Sequence, residues 1–121
     1  FIICIVVLVG AVAFISMEDK QDAYNTAFEW SGVKALPAWA TDPKIETKGG
    51  MFTREFEITF TGTKEQIENW INAEPALKDI PKEDMGNSVY KYILKPQGGA
   101  QWAEVKVDSI NNIITIRTYW S

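Results

Sequence analysis

The amino-acid sequence predicts an α+β fold: an N-terminal apolar helix continues as a short stalk and leads into a four-stranded antiparallel sheet, ordered β-α-β-β-β, with one helix packed on a face. Three observations predict it. All 12 basic and 16 acidic residues of the 121-residue chain fall between Glu18 and Arg117, so residues 1–17 carry no charge. Two later segments alternate apolar and polar side chains with the period of two that a half-buried strand requires. Between the strand segments lies one stretch with helical spacing behind a capping sequence.

The uncharged run 1–17, FIICIVVLVGAVAFISM, is apolar throughout. As a helix it extends ~25 Å, somewhat short of the roughly 30 Å hydrocarbon core of a bilayer. The expectation is a retained single-pass transmembrane anchor embedded in membrane lipid. It is preferred over a cleaved secretory signal, whose cleavage site Ala11-Val12-Ala13 loosely resembles, and over a core helix, which would be apolar on every face. The flank Glu18-Asp19-Lys20-Gln21-Asp22 carries more acid than base, the reverse of a cytoplasmic flank. It points to an extracytoplasmic domain, periplasmic or extracellular. Cys4 lies inside the run, where an inert thiol is favoured over a lipid attachment site.

Beyond the run, Ala23, Tyr24, Ala27 and Phe28 form one apolar stripe, and the helix is expected to stop near Trp30, where Ser31-Gly32 offers a C-terminal cap. From Val33 to Gly50 the residues Pro37, Pro43 and Gly49-Gly50 interrupt any period, so 18–50 reads as helical stalk and linker. The remaining 51–121 form the small α+β domain. Its first strand is 52–60, with Phe56, Ile58 and Phe60 on one face and Glu55, Glu57 and Thr59 on the other. Thr63-Lys64-Glu65-Gln66 has the form of a capping box, and Ile67, Trp70 and Ile71 follow at helical spacing, giving a helix over 64–73 that Pro75 ends. Lys78 to Asn87 reads as a polar loop. Strands follow at 88–95, at 102–108, where Ala103, Val105 and Val107 alternate with Trp102, Glu104 and Lys106, and at 113–120. Gly98-Gly99 and Asn111-Asn112 turn the chain between them.

Composition narrows the chemistry. With no histidine and a single cysteine, the chain lacks Ser/His/Asp and Cys/His nucleophilic sites and His-ligated zinc. A net charge of −4 with scattered basic residues speaks against nucleic acid as a partner. No catalytic, cofactor-binding or metal-ligating residue is assigned. The acidic pairs Glu55/Glu57, Glu65/Glu68 and Glu83/Asp84 read as solvated surface rather than as a glycosidase dyad or calcium loop. An unfavoured alternative is a carboxylate enzyme built around Glu55, Glu57 or Glu104. Gly98-Gly99 opens no helix and is a hairpin turn, not a phosphate loop.

Five tryptophans invite a sugar-stacking reading, but core and interface roles outweigh it. Trp70 belongs to the helix's apolar stripe; Trp102 falls opposite the Ala103/Val105/Val107 face; Trp30 and Trp39 lie near the expected anchor. Trp30, Trp39 and Trp102 are the candidate interaction residues.

A chain that begins with Phe1, enters an apolar helix and ends in a four-stranded antiparallel sheet is similar in layout to type IV pilins and pseudopilins. Position 5 is Ile5 where most pilins have glutamate, and no cysteine pair closes a C-terminal loop. The resemblance implies a filament subunit as the alternative. The first expectation is a non-catalytic, membrane-anchored binding or structural domain, an accessory subunit of a membrane or cell-envelope complex whose partners are other protein subunits.

Overall fold

The computed structural model describes residues 21–49 and 53–120. They form six strands and two helices. Residues 21–31 are helical (α1). They are followed by β1 (Thr41–Lys48), β2 (Arg54–Thr61), α2 (Lys64–Ala73), β3 (Glu83–Asp84), β4 (Val89–Ile93), β5 (Trp102–Asp108) and β6 (Ile113–Trp120). All strands join one antiparallel sheet in the order β1-β2-β6-β5-β4-β3. The hairpin β1-β2 and the meander β3 to β6 are zipped together by an eight-residue pairing of β2 with β6.

The expected four-stranded sheet is therefore corrected to six strands, and both additional strands are edges. β1 occupies part of the segment read as linker. All of its residues are exposed except Ile45, so no apolar alternation marks it. Its place comes from backbone pairing with β2. Pro43, a register shift between Thr41 and Lys44, and two lysines make it a poor template for a further strand, which is how exposed edges avoid aggregation. β3, inside the expected polar loop, is only two residues long and fully exposed.

The single-pass membrane placement, and the extracytoplasmic location that depended on it, are corrected as well. Among the described residues no helix is long and apolar enough to cross a membrane. The expected anchor, residues 1–17, lies outside the described residues. α1 is amphipathic: Ala23 and Ala27 are buried while Gln21, Asp22, Asn25 and Glu29 are exposed, so it lies on the sheet as a surface helix. It ends where Gly32, at φ +79°, adopts the left-handed conformation that a side chain disfavours and donates its N–H to the Phe28 carbonyl at 3.0 Å.

The capping box of α2 is present. Thr63 Oγ1 accepts from the Gln66 N–H at 3.1 Å, and Gln66 Oε1 accepts from the Thr63 N–H at 3.0 Å. Both helices bury their apolar residues on the same sheet face. Three cross-strand rows line it: Phe56-Thr118-Ala103, Ile45-Ile58-Ile116-Val105-Tyr92 and Phe60-Ile114-Val107-Tyr90. Ala27, Ile67, Trp70, Val33 and Leu77 close over them. In the first of these rows Thr118 Oγ1 is wholly buried without a hydrogen-bond partner.

Candidate binding site on the helix-free face

The other half of each alternation points away from the helices, and no described element packs on that side. Register fixes what meets there. One row runs Lys48-Glu55-Tyr119-Trp102, the next Glu46-Glu57-Arg117-Glu104-Ile93, and a third Lys44-Thr59-Thr115-Lys106-Lys91. The first two rows, with Lys91, bring aromatic and charged side chains into a shallow hollow of about 440 Å³ at the Trp102 end of the sheet. That volume falls within the range of about 300–1,000 Å³ usual for small-molecule sites.

Arg117 organises it. Its Nε donates to Glu55 Oε1, and its Nη1 donates to Glu104 Oε1 at 3.2 Å. Glu104 is only 4% exposed. The Trp102 indole N–H donates to the same carboxylate at 2.9 Å, and Lys91 Nζ stands 4.0 Å from its second oxygen. A carboxylate this deeply buried is tolerated because three donors surround it. The Glu55 carboxylate, hydrogen-bonded to Arg117, and then Glu104 hold the guanidinium above its ordinary range, against the opposing effect of burial. Glu57 is engaged separately, 3.7 Å from Lys48.

Beside this network Trp102 and Tyr119 form a near-parallel stacked pair, with ring centroids 6.4 Å apart and planes 20° from parallel. Lys91 Nζ is 5.7 Å from the centre of the Trp102 ring, and the Arg117 guanidinium carbon is 5.5 Å from that of Tyr119. Arg54 and the 41% exposed Trp120 stand at the rim.

The structure separates the three candidate interaction residues. Trp30 packs edge-on against Phe56 at 5.2 Å, and Trp39 against Phe60 at 5.8 Å, both on the helix-covered face. Trp39 lies across Gly62, where a Cβ would come within 2.4 Å of the indole ring. Trp70 also meets Phe60, at 5.8 Å. Only Trp102 of the three belongs to the helix-free face. Of the carboxylates, Glu55 and Glu104 are joined through Arg117, while Glu65 and Glu68 are exposed on α2 and Glu83 and Asp84 form β3. Arg117, Tyr119 and Lys91 were not among the sequence candidates. The signal for Arg117 and Tyr119 was available in 113–120, where Thr115, Arg117 and Tyr119 alternate with Ile114, Ile116 and Thr118.

Two other hollows bear on the choice of site. A cleft of about 210 Å³ between α2 and β4 is lined by Ile67, Ile71, Tyr90 and Tyr92, with Lys64 and Lys82 at its mouth. Burial, and secondarily Tyr90, push the Tyr92 hydroxyl above its ordinary range. A larger hollow of about 710 Å³ runs beside α1 and is lined by Tyr24, Phe28, Val33 and Leu36 with Gln21 and Gln97. Among the described residues no group of three metal-ligating side chains is suited to a metal ion. Comparison with protein-family models, curated proteins and solved structures gave no match.

Proposed function

We propose that the protein is a non-catalytic binding domain whose working surface is the helix-free face around Trp102, Tyr119, Glu104 and Arg117. The observation that carries this reading is the order of that face. A sheet face that serves only to meet water needs no buried carboxylate, and holding long charged side chains in one geometry costs entropy for little stability at a surface. Here the cost is met in a cross-strand network that presents two aromatic rings outward. Catalysis is disfavoured by the chemistry present. Both carboxylates of the hollow are engaged by the same guanidinium, and the chain has no histidine to move a proton near neutral pH.

The test is a thermal-shift screen of the full chain against oligosaccharides, peptides and nucleotides, run in parallel on Trp102→Ala. Compounds that raise the melting temperature of the wild type are expected to leave the variant unmoved. A screen that moves neither protein, or moves both equally, overturns the proposal.

A further inference from the structure

We infer that the ligand of this face is a neutral glycan chain, its pyranose rings laid against Trp102 and Tyr119. The inference rests on the binding reading above and adds the class of ligand. It begins with the two near-parallel rings on adjacent strands, 6.4 Å apart. An aromatic face attracts weakly polarised C–H groups, and the apolar side of a pyranose presents several of them together.

The charges around the rings then narrow the class. Arg117 is shared between Glu55 and Glu104, and Lys91 faces Glu104, so positive and negative groups are interleaved across the floor. A polyanion would have to lie over both carboxylates, on a chain of net charge −4. A cationic ligand over the rings would be repelled by the molecule's own Lys91 and Arg117, which stand 5.7 Å and 5.5 Å from the ring centres. Sugar hydroxyls carry no charge and both donate and accept. They match what the network leaves over: Arg117 uses two of its five donor hydrogens, and the second oxygen of Glu55 remains at the partly exposed edge of the pair.

The test is affinity electrophoresis of the full chain through gels containing a neutral polysaccharide (xylan, glucomannan or a β-glucan), polygalacturonate, or no polymer, with a fluorescent oligothymidylate titrated in solution. At least one neutral polysaccharide is expected to retard the wild type, with the dissociation constant rising at least tenfold in Trp102→Ala and in Tyr119→Ala. Trp102→Phe keeps the ring while removing the N–H donated to Glu104 and is expected to retain binding within about threefold, so loss of the ring is distinguished from loss of the fold. Absence of retardation by every neutral polymer, or preference for polygalacturonate or oligothymidylate, overturns the glycan assignment. If those other ligands bind in a Trp102-dependent way, the binding face stands and only the ligand class fails. If their binding ignores Trp102, both fail.

Discussion

The two faces of this sheet are made by the same strands and differ in what holds them. On the covered face, Ile58, Ile116 and Val105 meet in one row and are shielded completely from water, so their stabilisation is hydrophobic and non-directional. On the bare face, one residue along each strand, Glu57, Arg117 and Glu104 form the matching row; Arg117 and Glu104 are ordered by a hydrogen bond of definite geometry, and Glu57 pairs with Lys48. On the proposed reading the difference separates folding from function. The covered face would support this sheet with many choices of apolar side chain of the right volume. The bare face has a particular constellation that the fold does not require.

Adjacent positions on β6 give the sharpest test of this contrast, and the largest expected effect. Ile116→Ala is expected to cost about 2–5 kcal/mol of unfolding free energy, because it opens a cavity at a site with no exposure. Thr115→Ala, one residue away on the bare face, is expected to change stability by less than about 0.5 kcal/mol. Urea denaturation of both variants checks this, and equal losses would break the comparison.

The next effect tests whether the bare face is ordered by its network. Arg117→Met removes a donor from a buried carboxylate and is expected to cost about 2 kcal/mol. Replacing Glu104 with leucine in the same chain is expected to restore part of that loss, since no buried charge then lacks its partner. A double-mutant cycle measures the coupling. Strict additivity would show that the network has no energetic reality.

A smaller change is expected on the covered face, in the opposite direction. Thr118→Val replaces a buried hydroxyl that has no partner with a methyl group of similar shape, and is expected to raise stability by about 1 kcal/mol. Denaturation midpoints decide it; a destabilised variant would mean that the hydroxyl is satisfied in solution.

The smallest effect concerns the turn joining β5 to β6. The Asn111 side chain, together with the backbone N–H groups of Asn111 and Ile110, donates to Asp108 and holds its carboxyl below its ordinary value of 3.8. A lowered folded-state value means that the charged form stabilises the fold above the unfolded-state value, and that this contribution disappears as pH falls through the folded one. Wild type is therefore expected to melt slightly above Asp108→Asn at pH 6, and the gap is expected to close progressively below pH 3.8. A gap that widens with acidification would reverse the sign.

How far the sequence revealed this arrangement follows the same physics. The four inner strands were legible, β2 and β5 from apolar side chains at every second position and β4 and β6 from their β-branched and aromatic residues. The edges β1 and β3 were not, since a strand with one neighbour and mostly exposed side chains leaves no periodic trace. The α2 capping box and the outward position of Trp102 were visible from local spacing. The site itself was not, because Glu55 and Arg117 are 62 positions apart and meet only through the register of β2 on β6. Nor could composition separate the tryptophans: Trp30, Trp39 and Trp70 face apolar partners on the covered side, and only the pairing of strands shows that Trp102 faces Tyr119 instead.

The most direct measurement is the amide and indole chemical-shift map of the isotopically labelled chain, titrated with a compound that stabilises it in the thermal screen. The account predicts shifts concentrated at the Trp102 indole and the backbones of Glu104, Arg117 and Tyr119, with the helices undisturbed. Shifts gathered instead at Ile67, Ile71, Tyr90 and Tyr92, in the cleft between α2 and β4, would contradict it.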